Sequence, residues 1–240
     1  MPGHEVRHIY LQRIFMLKLT EILHAHPEFA AVIRSHKPYR KLDFSEHNEE
    51  LLSRDLSETF VFSEYVSEKL LSGNTFTGIG GYAENRVIYK NRKHFSSEQN
   101  SRSIHLGTDI WTDAGETVYA PLNGKVHSFA FNNQYGDYGP TIILYHELKE
   151  IEFFTLYGHL SLQSLDGLYE GKSIASGEQF ASIGTYPENG DWPPHLHFQI
   201  ISDLGQYSGD FPGVSSIQDQ QYYLSICPDP NLILRIAENE

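Results

Sequence analysis

The sequence predicts an α+β protein: a helical N-terminal appendage over residues 1–77, then a mostly antiparallel β core domain with a C-terminal tail over 78–240. Three observations carry that expectation. Helical spacing of apolar residues dominates the first 70 or so positions. From Gly78 onward the texture changes to short alternating or β-branched runs punctuated by Gly, Asn and Pro. The 240 residues, 40% of them hydrophobic and 20% charged, suffice to bury a core without staples.

Residues 9–23 are rich in helix formers, with Ile14, Leu17 and Glu21 marking successive turns. Pro27 separates this helix from Phe29-Ala30-Ala31-Val32-Ile33, read as a short second one. Ser45 is a candidate N-cap, with Glu46 and Glu49 in the following turn where they suit the helix dipole. Phe62, Tyr65, Val66, Lys69 and Leu70 then give i, i+3, i+4 spacing, and Gly73 is a natural stop. Candidate strands follow at 86–89, 117–120, 125–131, 141–146, 153–159, 179–183 and 197–201. Asn123-Gly124 reads as a hairpin turn between two of them. The polar stretch 91–103 reads as a loop, and Pro228-Asp229-Pro230 as a turn before a short helix over 231–236.

Charge and cysteine content exclude several classes. Lys+Arg minus Asp+Glu is 18 − 31 = −13, so phosphate backbones and polyanionic cell walls should repel the chain, and nucleic acid is not an expected partner. The single cysteine, Cys227, forms no internal disulfide and reads as a small buried hydrophobe. No run reaches the ~20 apolar residues of a membrane span. Met1 to Glu5 lacks the basic and apolar regions of a signal peptide, which leads us to expect a cytoplasmic protein. The sequence does not speak to oligomeric state.

The 13 histidines are the unusual feature. Three pieces stand out: His105-Leu106-Gly107-Thr108-Asp109, Tyr157-Gly158-His159-Leu160 and His195-Leu196-His197-Phe198. Spacing alone is weak, since His24-Ala25-His26 is also an H-x-H and sits in a helical pattern. Strand geometry strengthens the signal: period-2 alternation puts His195 and His197 on one face and Leu196 and Phe198 on the other. If 105–109 is extended, His105, Gly107 and Asp109 share a face, and Gly107 leaves room between two candidate ligands. Tyr157 and His159 would then face away from a core formed by Phe154, Leu156 and Leu160. Two His and one Asp are a natural zinc set that leaves a fourth position for water. Two further imidazoles beside it suit proton transfer or oxyanion stabilisation.

In this order the three pieces resemble the lysostaphin/LytM-type zinc endopeptidases, whose pattern is H-x-G-x-D, then G-H-leucine, then H-x-H. Gly115 to Val126 and Gly171 to Gly184 resemble that family's two glycine-marked hairpin elements, so the likeness covers about 78–202. It implies one Zn2+ per chain held by His105, Asp109 and His197, with His159 and His195 as catalytic histidines. It further implies a hydrolase cutting small glycine- or D-amino-acid-containing peptides, a peptide or muropeptide being the expected partner. Trp192-Pro193-Pro194 would wall the groove. Tyr82, Tyr89 and Tyr157 all remain candidates for the tyrosine some relatives carry beside the zinc. Asn85, Asn91 and Asn100 are candidates for a residue that blocks it, Asn85 being preferred. The alternative is a non-catalytic, zinc-containing binding or regulatory module of the same fold. Such regulators commonly lose ligands, whereas all five residues are present here.

His94, His127 and His146 read as hydrogen-bonded strand or loop residues, and His4, His8, His24, His26, His36 and His47 as solvated ones.

Overall fold

The computed structural model describes residues 2–70, 75–89, 95 and 101–237. Its frame is an eight-stranded sheet. The chain opens with helix α1 (Pro2–Ala25) and strand β1 (Tyr39–Leu42). Helix α2 (Thr59–Lys69) and strand β2 (Thr77–Gly80) follow. Next come β3 (Arg102–His105), β4 (Thr108–Trp111) and β5 (Thr117–Tyr119). The long central strands are β6 (Gly124–Asn132), β7 (Gly139–Leu148) and β8 (Ile151–Gly158). The chain continues through β9 (Ser173–Ile174), β10 (Gln179–Ser182) and β11 (His195–Ile201). It closes with β12 (Val214–Ser216), α3 (Gln220–Leu224) and α4 (Asn231–Leu234). The large sheet runs β1-β2-β4-β11-β8-β7-β6-β9, with β5–β10 and β3–β12 as separate pairs. All pairings are antiparallel except β1 with β2.

The sheet is buried on both faces. On one, Ile142, Leu144, Tyr157, Leu196, Phe198 and Ile200 join Leu19 and Leu23 of α1 in the main core. On the other, Ile143, Leu156 and Ile201 pack with Leu106, Tyr138 and Phe211. Also on this side, Trp111 and Trp192 meet Phe44 and Phe62 from the N-terminal part. The β11 alternation therefore places His195 and His197 opposite the main core. Among the described residues no helix is long and apolar enough to cross a membrane.

Several local expectations change. In α1 the buried stripe is Leu19 and Leu23, at i and i+4, while Leu17 is exposed. Residues 29–33 are not helical: the Ala30 N–H donates to the Pro121 carbonyl, and Val32 O accepts from Tyr119 N–H. Tertiary hydrogen bonds thus outweigh the helix propensity of two alanines. Asn48 rather than Ser45 caps the short 3₁₀ turn Glu49–Ser53, and Ser45 instead forms a bridge with Arg86. Residues 1–77 are not helical throughout, because β1 joins the sheet edge and β2 runs across residue 78. Gly73 lies outside the described residues, as do Asn91, Asn100 and His94.

Segment 86–89 is a 3₁₀ turn over Val87–Tyr89 rather than a strand. Asn123-Gly124 makes no hairpin: β5 pairs with β10, while β6 pairs with β9 and β7. Gly124 has no positive φ, so the mirror-image turn that Asn-Gly favours does not form. Its lack of a side chain serves packing instead, because a Cβ there would stand 2.8 Å from the His146 ring. The tight hairpin turn is Lys149-Glu150, both at positive φ (51° and 64°), joining β7 to β8.

Candidate metal centre

Register brings the motif residues together. His197 lies opposite Asp109 on β4 and opposite Gly158 on β8, while His195 lies opposite Trp111. Residues 105–109 are not one strand, as expected, but two: the chain leaves β3, turns at Leu106-Gly107 and enters β4 in a different sheet. Gly107 makes the turn possible beside the ligands, since a Cβ there would stand 2.6 Å from the His197 ring.

Three buried side chains converge. His105 Nε2 is 3.0 Å from His197 Nδ1, and each lies 3.2 Å or less from Asp109 Oδ1. A tetrahedral zinc ion with bonds of about 2.0–2.2 Å separates its ligand atoms by about 3.3–3.5 Å, so the cluster needs only slight opening to fit one. Hydrogen bonds fix the ring tautomers to suit. His105 Nδ1 donates to the Gly81 carbonyl at 3.0 Å, and His197 Nε2 to Gln199 Oε1 at 2.9 Å. The nitrogen of each that faces the cluster is thereby left with its lone pair. Gln199 is held in turn, its amide donating to Pro212 O and to Cys227 Sγ. Burial pushes the Cys227 thiol up to about 12, consistent with a packed, unreactive residue.

The charges also match. Desolvation lowers His105 to about 4, so its imidazole is neutral near pH 7. Burial would raise Asp109, but the Arg86 guanidinium that donates to it prevails and holds its carboxyl well below the usual range. Two imidazoles and one carboxylate are a donor set suited to zinc.

His159 and His195 stand beside this trio, their rings 4.2 Å apart. His195 Nδ1 donates to Pro193 O at 2.7 Å and His159 Nδ1 to Asn189 O at 2.8 Å, leaving each Nε2 as a free base. Desolvation lowers His195 to about 4 and His159 well below its ordinary value. Trp111 stacks on His195 at 4.0 Å. The left-handed backbone of His159 (φ 62°) ends the regular alternation of β8. Alternation holds through Tyr157, which faces the main core opposite Leu156; beyond it, contrary to the simple period-2 reading, Leu160 joins Tyr157 in the main core and His159 faces the cleft.

Asp109, His159, His195 and His197 line a cleft of about 280 Å³ whose walls include Trp192, Tyr138, Phe211 and Arg86. Trp192 stands where the groove-wall expectation put it. The tyrosine beside the centre is none of the three candidates. Tyr157 is in the core, and Tyr82 donates its hydroxyl to Cys227 O. Tyr89 lines the cleft but accepts from Arg86. Tyr138 takes the position, its hydroxyl 3.4 Å from His197 Nε2. Two glycines admit it: a Cβ at Gly213 would meet its hydroxyl at 1.9 Å, and one at Gly158 its ring at 2.5 Å. Burial raises that hydroxyl well above 10, so it stays a proton donor. Its Asp-Tyr-Gly context carries no distinctive signal in the sequence. Asn85 is exposed and does not line the cleft, so it does not serve as a block. His127 and His146 are hydrogen-bonded strand residues, while His24, His36 and His47 are exposed.

A buried His-Asp-His cluster with two free-base imidazoles at its side is a candidate centre for a metal ion with two bases beside it. Residues 103–208, which contain all five groups, match the model of peptidase family M23. The match covers somewhat under half of the chain. No curated protein matches the chain. Among solved structures, it is similar to the catalytic domain of the antimicrobial peptidase lysostaphin from Staphylococcus simulans (22% identity, 50% of this chain and 80% of that one, TM-score 0.35). It is also similar to Helicobacter pylori Csd3 (20%, 51% and 32%, TM-score 0.34). A third is a zinc-containing peptidase from Vibrio cholerae (25%, 44% and 29%, TM-score 0.31). The chain thus spans 40% of whole lysostaphin and 32% of Csd3.

Proposed function

We propose that the protein is a zinc-dependent endopeptidase acting on small glycine- or D-amino-acid-containing peptides, including muropeptides. The observation that carries this reading is the convergence of His105 Nε2, Asp109 Oδ1 and His197 Nδ1 within 3.2 Å of one another, beside two imidazoles with free Nε2 atoms. His105, Asp109 and His197 would hold the ion. When bound, zinc supplies Lewis acidity toward a scissile carbonyl and an acidified water.

The remaining steps belong to the chain's own side chains. His195, neutral and backed by Trp111, takes the proton of the attacking water at Nε2. His195 then delivers that same proton to the leaving amine, while the free-base Nε2 of His159 assists by accepting a hydrogen bond from the attacking water. Tyr138, held protonated, donates a hydrogen bond to the developing oxyanion. The cleft excludes water from one side of the reacting bond through Trp192 and Phe211.

A net charge of −13 supports soluble peptides over an intact polyanionic wall as substrates. The test is digestion of purified muropeptides, free cell-wall peptides and intact sacculi, read by mass spectrometry, on protein whose zinc content is measured. Cleavage of the soluble peptides, abolished by a chelator and restored by zinc, is the expected result. Zinc binding without cleavage of any of them would favour a non-catalytic module, and faster digestion of sacculi would overturn the substrate assignment.

A further inference from the structure

We propose that Arg86 is a positioning residue for the metal-binding carboxylate: it holds Asp109 so that one oxygen alone faces the histidine pair. This inference rests on the proposed metal-binding reading. Arg86 is 1% exposed, and its Nη1 donates to Asp109 Oδ2, the oxygen turned away from His105 and His197. The other oxygen, Oδ1, is the one that approaches both imidazoles. Nε of the same guanidinium donates to Glu84 Oε2 at 2.7 Å, and Nη1 also donates to the Tyr89 hydroxyl at 3.2 Å.

The surroundings are built for this side chain. A Cβ at Gly80 would stand 2.6 Å from Nη2, so β2 passes there only because residue 80 is glycine. Glu84 is anchored through Oε1, which accepts the Phe44 N–H, and its own carbonyl accepts the His105 N–H. The guanidinium lies 5.4 Å from the Phe44 ring. One network thus ties the N-terminal part of the chain to two of the three candidate ligands. A planar fork is needed because it spans Glu84 and Asp109 at once, whereas a lysine ammonium offers a point charge without that geometry.

The test measures zinc affinity by competition with a chromophoric chelator, and the visible spectrum of the cobalt(II)-loaded protein, for wild type, Arg86→Met and Arg86→Lys. Arg86→Met should weaken zinc binding by about 10–100-fold, the usual effect of losing a partner of a metal ligand. Its cobalt bands should change in intensity as the second Asp109 oxygen becomes available. Arg86→Lys should recover part of the affinity. An ion pair that only supported the fold would shift the unfolding midpoint and leave the cobalt spectrum alone. Wild-type affinity and spectrum in folded Arg86→Met would overturn the proposal. If that variant does not fold, Arg86→Lys decides by the same two readouts. Failure of the wild type to take up zinc or cobalt strikes the metal-binding reading itself, a distinguishable result.

Discussion

His195 and His197 are two residues apart on one strand face, yet their hydrogen bonds assign them different work. His197 turns Nδ1 to the cluster because Gln199 takes its other nitrogen, whereas His195 keeps Nε2 free because Pro193 holds Nδ1. We expect His197→Ala to lose zinc, since only two protein ligands remain. His195→Ala should retain zinc and slow turnover by a factor of ~10²–10⁴. Zinc content and peptide cleavage, measured on both, separate the roles; equal zinc loss in the two variants would contradict the assignment. Gly107→Ala tests the turn that joins the first two ligands. Its Cβ would stand 2.6 Å from the His197 ring, so it should destabilise by about 1–3 kcal/mol and weaken zinc binding. A variant with wild-type melting and zinc content would show that the ring gives way freely.

At the scale of elements, the short stretch between β6 and β7 delivers Tyr138 to the centre, while Gly158 and Gly213 come from two other places in the chain. Tyr138→Phe keeps the ring packing and removes only the hydroxyl. We expect kcat to fall by about 10²–10³-fold, the scale of one oxyanion-hole donor, with zinc content and thermal stability nearly unchanged. Unchanged kcat would remove Tyr138 from the mechanism.

For the whole molecule, the N-terminal part packs into the body that carries the candidate site. Phe44 and Phe62 pack on Trp111, the ring beneath His195, at 5.5 Å each. Arg235, near the other end of the described chain, donates to carbonyls of Leu23, His26 and Pro27. We expect a chain lacking residues 1–77 to misfold instead of gaining activity. A soluble, cooperatively folding and more active 78–240 fragment would refute this.

Acid should also loosen the metal-free protein. His105, His146 and His195 titrate near 4 when folded because burial disfavours their charged forms. Unfolded, they titrate near 6.5. Between those values the unfolded chain binds more protons, so stability falls as pH drops from about 6.5 toward 4, by on the order of 1 kcal/mol per pH unit for each group. The urea midpoint of metal-free protein at pH 7.5 and at pH 5 checks it; equal midpoints would contradict the burial argument.

The sequence by itself determined the β core and most of its strands, and it picked out five residues that the structure brings together. Those signals are local: alternation along β11 set Leu196 and Phe198 against His195 and His197, and glycine inside H-x-G-x-D marked a place without room for a side chain. Tertiary structure alone decided the rest. Asn123-Gly124 looked like a hairpin, but β5 and β6 each found a partner in the 171–184 segment, because strand pairing follows the burial of whole faces and not the turn alone. Lys149-Glu150 turned tightly without a turn-like sequence. Tyr138 and Arg86 reach the centre from loops whose local sequence says nothing of their destination. Their positions depend on what a Cβ at Gly213, Gly158 or Gly80 would have struck, a contact between residues distant in sequence that no local pattern encodes.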